Sequence, residues 1–174
     1  MGRKLKLNRF EDCNTNEELV EAYIKEAVKT ANKEAIDDPD RYFKSFVFGE
    51  FGEIIGMIKK EHYHSMKIKR EDYIDEIGDL LWGFAFNEIY GHTSPNWDIY
   101  AISAEYDTNF NLLDMIDFSC EYDLDRVILN IIGFMNHKKI IVREVLEYNI
   151  KKLRKRYPNG YSHKACEERI DYAK

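Results

Sequence analysis

Proline is scarce in this chain, with three in 174 residues, and glycine numbers only nine, so few positions oblige the backbone to stop a helix. Cysteine is equally sparse. Cys13, Cys120 and Cys166 are far apart and odd in number, a pattern that fits neither a disulfide framework nor a zinc-ligand spacing. No run approaches the roughly 18 uncharged residues of a membrane helix, and "MGRKLKLNRF" lacks the apolar core of a signal peptide. A cytoplasmic protein without membrane association is expected. Excess positive charge is missing too: the net charge of −6 argues against stable nucleic-acid binding. Only "KKLRKR", residues 151–156, concentrates cations, five in six residues, and leaves room for a local anion site.

What is present is apolar periodicity. A hydrophobic fraction of 44% suits one globular domain, 1–174, and spacings of three and four predict an all-α helical bundle. Thr15 and Glu18 have the spacing of a capping box and open a first helix over roughly 15–36, ended by "DDPD". A second helix is expected from about Arg41 to His62, and a polar connector "HYHSMKIKRED" leads to a third from about Arg70 to Tyr90. That helix turns Tyr73, Ile77, Leu80, Leu81, Phe84 and Ile89 inward. Beyond "GHTSPNWD" lies an aromatic-rich link with Trp97, Tyr100, Tyr106 and Phe110, which reads as a satellite core before it reads as a base platform. Leu113, Ile116, Cys120, Leu124, Val127, Ile128, Ile131 and Met135 keep helical spacing. The last long helix spans about Ile141 to Arg156, and Ser162 caps a short terminal one.

Four carboxylates interrupt the apolar pattern. In "GEFGE", Glu50 and Glu53 stand three apart, with Phe46, Val47, Ile54 and Met57 as face neighbours; "YIDEIGDLLW" repeats the device with Glu76 and Asp79. Buried unpaired carboxylates cost several kcal/mol and repel one another unless cations or protons compensate. A shared metal site answers that cost. Oxygen-only ligands suit magnesium, with manganese as the alternative; a di-iron site would want a His three residues after a Glu, which neither pair has. His62 and His64 read as surface residues. One Glu-x-x-Glu alone would read as a solvated helix face, but two in apolar stripes are harder to dismiss. Gly49, Gly52 and Gly56 would let a second helix approach closely despite the ~1 kcal/mol helix cost of each.

These residues, taken together, resemble the all-alpha nucleoside triphosphate pyrophosphohydrolases, the MazG-like group. Its Glu-x-x-Glu and Glu-x-x-Asp motifs match "GEFGEIIGMIKK" and "DEIGDLLW", with a spacer of 22 residues, and its Asn-x-x-Lys-Leu-x-x-Arg-Tyr-Pro block matches "NIKKLRKRYPNGY". "AYIKEAVKT" is similar to the opening helix of phage and bacterial members. The likeness spans roughly residues 21–90 and 141–163. It implies that Glu50, Glu53, Glu76 and Asp79 are magnesium ligands and catalytic, and that Asn149, Lys152 and Arg156 reach the nucleotide. Lys59 resembles the family's usual lysine, with a role toward phosphate. Helical offsets independently put Asn149, Lys152 and Arg156 on one face.

Two departures from the family pattern stand out. Gly83 occupies the place after tryptophan where members commonly carry tyrosine, which bears on base recognition, and residues 91 to about 124 look like an insertion. The implied activity is magnesium-dependent hydrolysis of a nucleoside triphosphate substrate, a deoxynucleotide or a modified one, to monophosphate and pyrophosphate for nucleotide-pool control, in a homodimer or homotetramer. A competing reading is a non-catalytic nucleotide-binding or regulatory module that docks a partner protein; a third is a purely structural helical oligomer held by ion pairs.

Overall fold

The helix Arg70–Tyr90 carries an almost unbroken buried stretch from Leu80 to Asn87, because it is surrounded on several sides rather than lying on a surface. In the computed structural model, which describes residues 10–92, Ile99, Ile102 and 124–168, this helix is the hub. Among the described residues 83% are helical and none belongs to a strand, as the sequence periodicity predicts. The helices are α1 (Asn16–Ala27), α2 (Lys33–Asp37), α3 (Pro39–His64), α4 (Arg70–Tyr90), α5 (Leu124–Lys138), α6 (Val142–Arg156) and α7 (His163–Glu168). None is long and apolar enough to cross a membrane.

The α1 capping box forms as the Thr15 and Glu18 spacing predicts: Thr15 Oγ1 accepts from the Glu18 amide at 3.1 Å, and the Glu18 carboxylate accepts from the amides of Asn14 and Thr15. The expected helix over 15–36 is not continuous. It tightens into a 3₁₀ turn at Val28–Thr30, and Asn32 then caps the separate α2, accepting from the Ala35 amide. That break directs Thr30 and Asn32 toward the site described below.

α3 and α4 run antiparallel, as the ring pairs Phe43–Phe84 and Tyr42–Phe86 show, and Gly83 allows the contact. A Cβ there would lie 2.8 Å from Phe46 Cδ1. α3 extends one residue pair beyond each expected end and stops at Ser65, whose left-handed backbone (φ 51°) turns the chain. α6 and α1 both lie against α4. Gly78 is the point of closest approach to α6, since a Cβ there would sit 2.9 Å from Asn149 Cβ. At Gly49, Gly52 and Gly56, expected to admit a second helix, no described residue beyond the neighbouring backbone of α3 lies within 4 Å of where a Cβ would be, so among the described residues no helix approaches there. They lie on the side of α3 away from α4. Ile89, expected inward, is half exposed at 50%, in the last turn of α4. Ser162 caps α7 through the Ala165 amide, as expected. Trp97, Tyr100, Tyr106, Phe110, Leu113, Ile116 and Cys120 fall outside the described residues, as does most of the insertion.

Candidate metal and nucleotide site

A cavity of about 320 Å³ opens where α3, α4 and α6 meet the segment after α1 and the chain following α6. Its acidic end is built by Glu50 and Glu53 from α3 and Glu76 and Asp79 from α4. The antiparallel pairing explains this convergence: each helix offers two acids one turn apart, and the same packing that joins Phe46 to Gly83 brings the two pairs level. Glu50, Glu76 and Asp79 each offer an oxygen within 4.8 Å of the others. Glu53 lines the cavity outside that set and is exposed.

Electrostatics at this end are unfavourable as the chain stands. Burial, then repulsion from Asp79, Glu53 and Glu76, lifts the Glu50 carboxyl to about 7. Burial, then Glu53, Asp79 and Asp75, lifts Glu76 to about 7 as well. Asp79 is also raised by burial, against the pull of Lys152 and Arg156. Oxygens around an octahedral magnesium ion are about 2.9 to 4.2 Å apart, from a metal–oxygen distance of about 2.1 Å. At most one pair among three ligands can lie trans, so oxygens within 4.8 Å of one another need to close by up to about 2 Å to share one ion. The donors are all hard oxygens, the kind that suit a hard divalent cation such as magnesium or manganese.

The basic block divides. Arg156 lines the cavity, with its guanidinium carbon 5.9 Å from the Tyr157 ring centre. Asn149 and Lys152, expected to reach the nucleotide, are buried behind Asp79. Asn149 Nδ2 donates to Asp79 Oδ1 at 3.0 Å; Lys152 Nζ donates to Asp79 Oδ2 at 2.6 Å and also to Asp75. Burial works against the charge on Lys152, but Asp79 and Asp75 outweigh it and raise its pKa. The shared face read from the sequence exists, but α4 occupies most of it, and only Arg156, a turn further along, emerges into the cavity. Lys59 is exposed and does not line the cavity; it follows Glu53 by six residues, roughly 9 Å along the helix axis.

One turn along the same two helices stands an aromatic wall. Tyr42 and Phe46 stack at 5.6 Å, and Phe46 meets Trp82 at 5.1 Å. The indole N–H donates to Thr30 Oγ1 and the Ala27 carbonyl, at 2.9 and 3.1 Å, which fixes the ring and satisfies its one polar atom. Past α6, the turn at Pro158–Gly160 (Gly160 φ 82°) brings Tyr161 back to 5.6 Å from Tyr157. Burial and a hydrogen bond with Cys166 push Tyr157 up to about 12. Burial and the Glu50 carboxylate raise Tyr42 as well.

Sequence reasoning missed Asp75 and the tyrosines of the wall. Asp75 was open to discovery, because it precedes Asp79 by four and shares its face. Tyr157 and Tyr161 also stand four apart, but across a turn, where helical spacing gives no guide. Compared with known protein families, curated proteins and solved structures, the chain matches none.

Proposed function

We propose that this chain is a magnesium-dependent nucleoside triphosphate pyrophosphohydrolase of the MazG-like all-alpha type, converting a deoxynucleoside or modified nucleoside triphosphate to monophosphate and pyrophosphate. The carrying observation is the lining of one cavity: three convergent carboxylates, an aromatic wall one turn along the same helices, and Arg156. Such a site suits a ligand with a flat ring and a metal-bound polyphosphate. Glu50, Glu76 and Asp79 would hold the ion, with manganese as an alternative. When bound, magnesium supplies Lewis-acid stabilisation of phosphate charge and a more acidic water.

The remaining work falls to side chains. Tyr42, Phe46 and Trp82 give the base an apolar face, and Arg156 neutralises charge on the departing pyrophosphate. Water oxygen forms the new bond to the α-phosphorus, the bond from that phosphorus to the bridging oxygen breaks, and pyrophosphate leaves with the electron pair. Glu53, which lines the cavity outside the three-carboxylate set, accepts the water's proton in this reading. Self-association as a homodimer or homotetramer belongs to the same reading.

The test is turnover of a panel of ribo-, deoxyribo- and modified nucleoside triphosphates, with magnesium or with chelator, resolved by chromatography. Magnesium-dependent monophosphate and pyrophosphate are expected, and Glu76→Gln should lower the rate at least a hundredfold while the helical circular dichroism persists. Diphosphate and orthophosphate as products would refute the bond assignment. Nucleotide binding without turnover would favour a regulatory module.

A further inference from the structure

We infer that Tyr23 is a positioning residue for the metal ligand Asp79, acting through the side-chain amide of Asn149; the inference rests on the metal site proposed above. Tyr23 lies on α1 with no exposed surface, and Asn149 on α6 has none either. The Tyr23 hydroxyl is 2.9 Å from Asn149 Oδ1 and 3.3 Å from the Gly78 carbonyl, and Asn149 Nδ2 is 3.0 Å from Asp79 Oδ1. Three helices thus contribute to one chain of hydrogen bonds that ends on a carboxylate of the acidic cluster.

The order of donors gives the chain its direction. The two ends of an asparagine amide have nearly the same shape, so packing alone does not choose between them. The carboxylate of Asp79, which only accepts, draws the NH₂ end and turns Oδ1 toward Tyr23, whose hydroxyl donates to it and holds the amide there. The reverse orientation would set the amide oxygen against an ionised carboxylate oxygen. Gly78, inside α4, already has its carbonyl committed to the helix, so the shorter bond to Asn149 is the principal one. With Lys152 Nζ on Oδ2 at 2.6 Å, each oxygen of Asp79 is tied by one donor and keeps lone-pair capacity for a cation. Both ties fix the plane of the carboxylate.

Composition supports the role of the hydroxyl. Phenylalanine would fill the same core volume, and a buried hydroxyl is costly unless it is bonded. Gly78 completes the arrangement, because any Cβ at that position would collide with Asn149. The position just before Asp79 in "EIGDLL" is therefore tied to the position that orients Asp79.

The experiment is a double-mutant cycle read by Mn²⁺ affinity, using isothermal titration or the electron paramagnetic resonance of free Mn²⁺, on wild type, Tyr23→Phe, Asn149→Ala and the double variant. Tyr23→Phe should raise the Mn²⁺ Kd about tenfold, the usual scale for a partner of a metal ligand. Asn149→Ala should do at least as much, and the double variant should be no worse than Asn149→Ala, because Tyr23 acts only through Asn149. Circular dichroism and metal-free melting check that the variants stay folded. Tyr23→Phe with wild-type affinity, or effects that add, would overturn the positioning role and leave the metal site standing. A wild-type protein that binds no Mn²⁺ would overturn the metal site and this inference with it.

Discussion

Gly83 and Phe46 show how one missing Cβ shapes the cavity. The Phe46 ring occupies the space a side chain at 83 would need, with Val47 Cγ2 only 3.1 Å from the same point. Gly83→Ala should therefore force the Phe46 ring toward the cavity and destabilise the fold by about 1–3 kcal/mol, the usual cost of overpacking. Urea denaturation measures that loss. In a Phe46→Leu background the same substitution should cost less, because the clashing ring is gone while Val47 remains. Equal cost in both backgrounds would mean that Phe46 is not what Gly83 accommodates.

Helix ends carry their own strain. Ser65 and Lys139 both terminate helices in the left-handed region, at φ 51° and 55°, and behind Lys139 the Ile140 amide donates to the Met135 carbonyl at 2.8 Å. Glycine adopts this conformation without a Cβ penalty but loses more chain entropy on folding. The balance predicts that Ser65→Gly stabilises by roughly 0.5 kcal/mol, a Tm gain of about 1–2 °C readable by calorimetry. At this scale the sequence was largely legible. The bounds of α4 came out at Arg70 and Tyr90, and α6 begins one residue after the expected Ile141, because local periodicity and breakers govern such ends. The break at Val28–Thr30 was not legible, since no proline or glycine marks it and its reward is tertiary: Thr30 binds the Trp82 indole. The acids of the site were legible because both pairs fit one turn of helix. Asn149 and Lys152 were assigned the right face, yet what that face meets depends on how α6 docks on α4 at Gly78.

For the whole molecule, the acidic end couples fold stability to protons and to metal. Glu50 and Glu76 titrate near 7 in the folded chain, against an ordinary value of 4.5. Between those values the native state holds more protons than the unfolded chain, so stability falls as pH rises through that window and levels off above it. Metal-free protein should accordingly melt several degrees lower at about pH 8 than at about pH 5.5, on the order of 5 °C. Magnesium binds the same oxygens in their ionised form, and a ligand that binds only the native state stabilises it by mass action. Millimolar magnesium should therefore raise the Tm at pH 8, do little at pH 5.5, and flatten the pH dependence between them. Glu76→Gln removes one of the titrating groups, so its metal-free melting should depend less on pH and respond less to magnesium. Differential scanning calorimetry with chelator and with magnesium at both pH values reads all of these together. A metal-free Tm that climbs toward pH 8, with no response to magnesium, would mean that the carboxylates are not the uncompensated cluster that the cavity depends on.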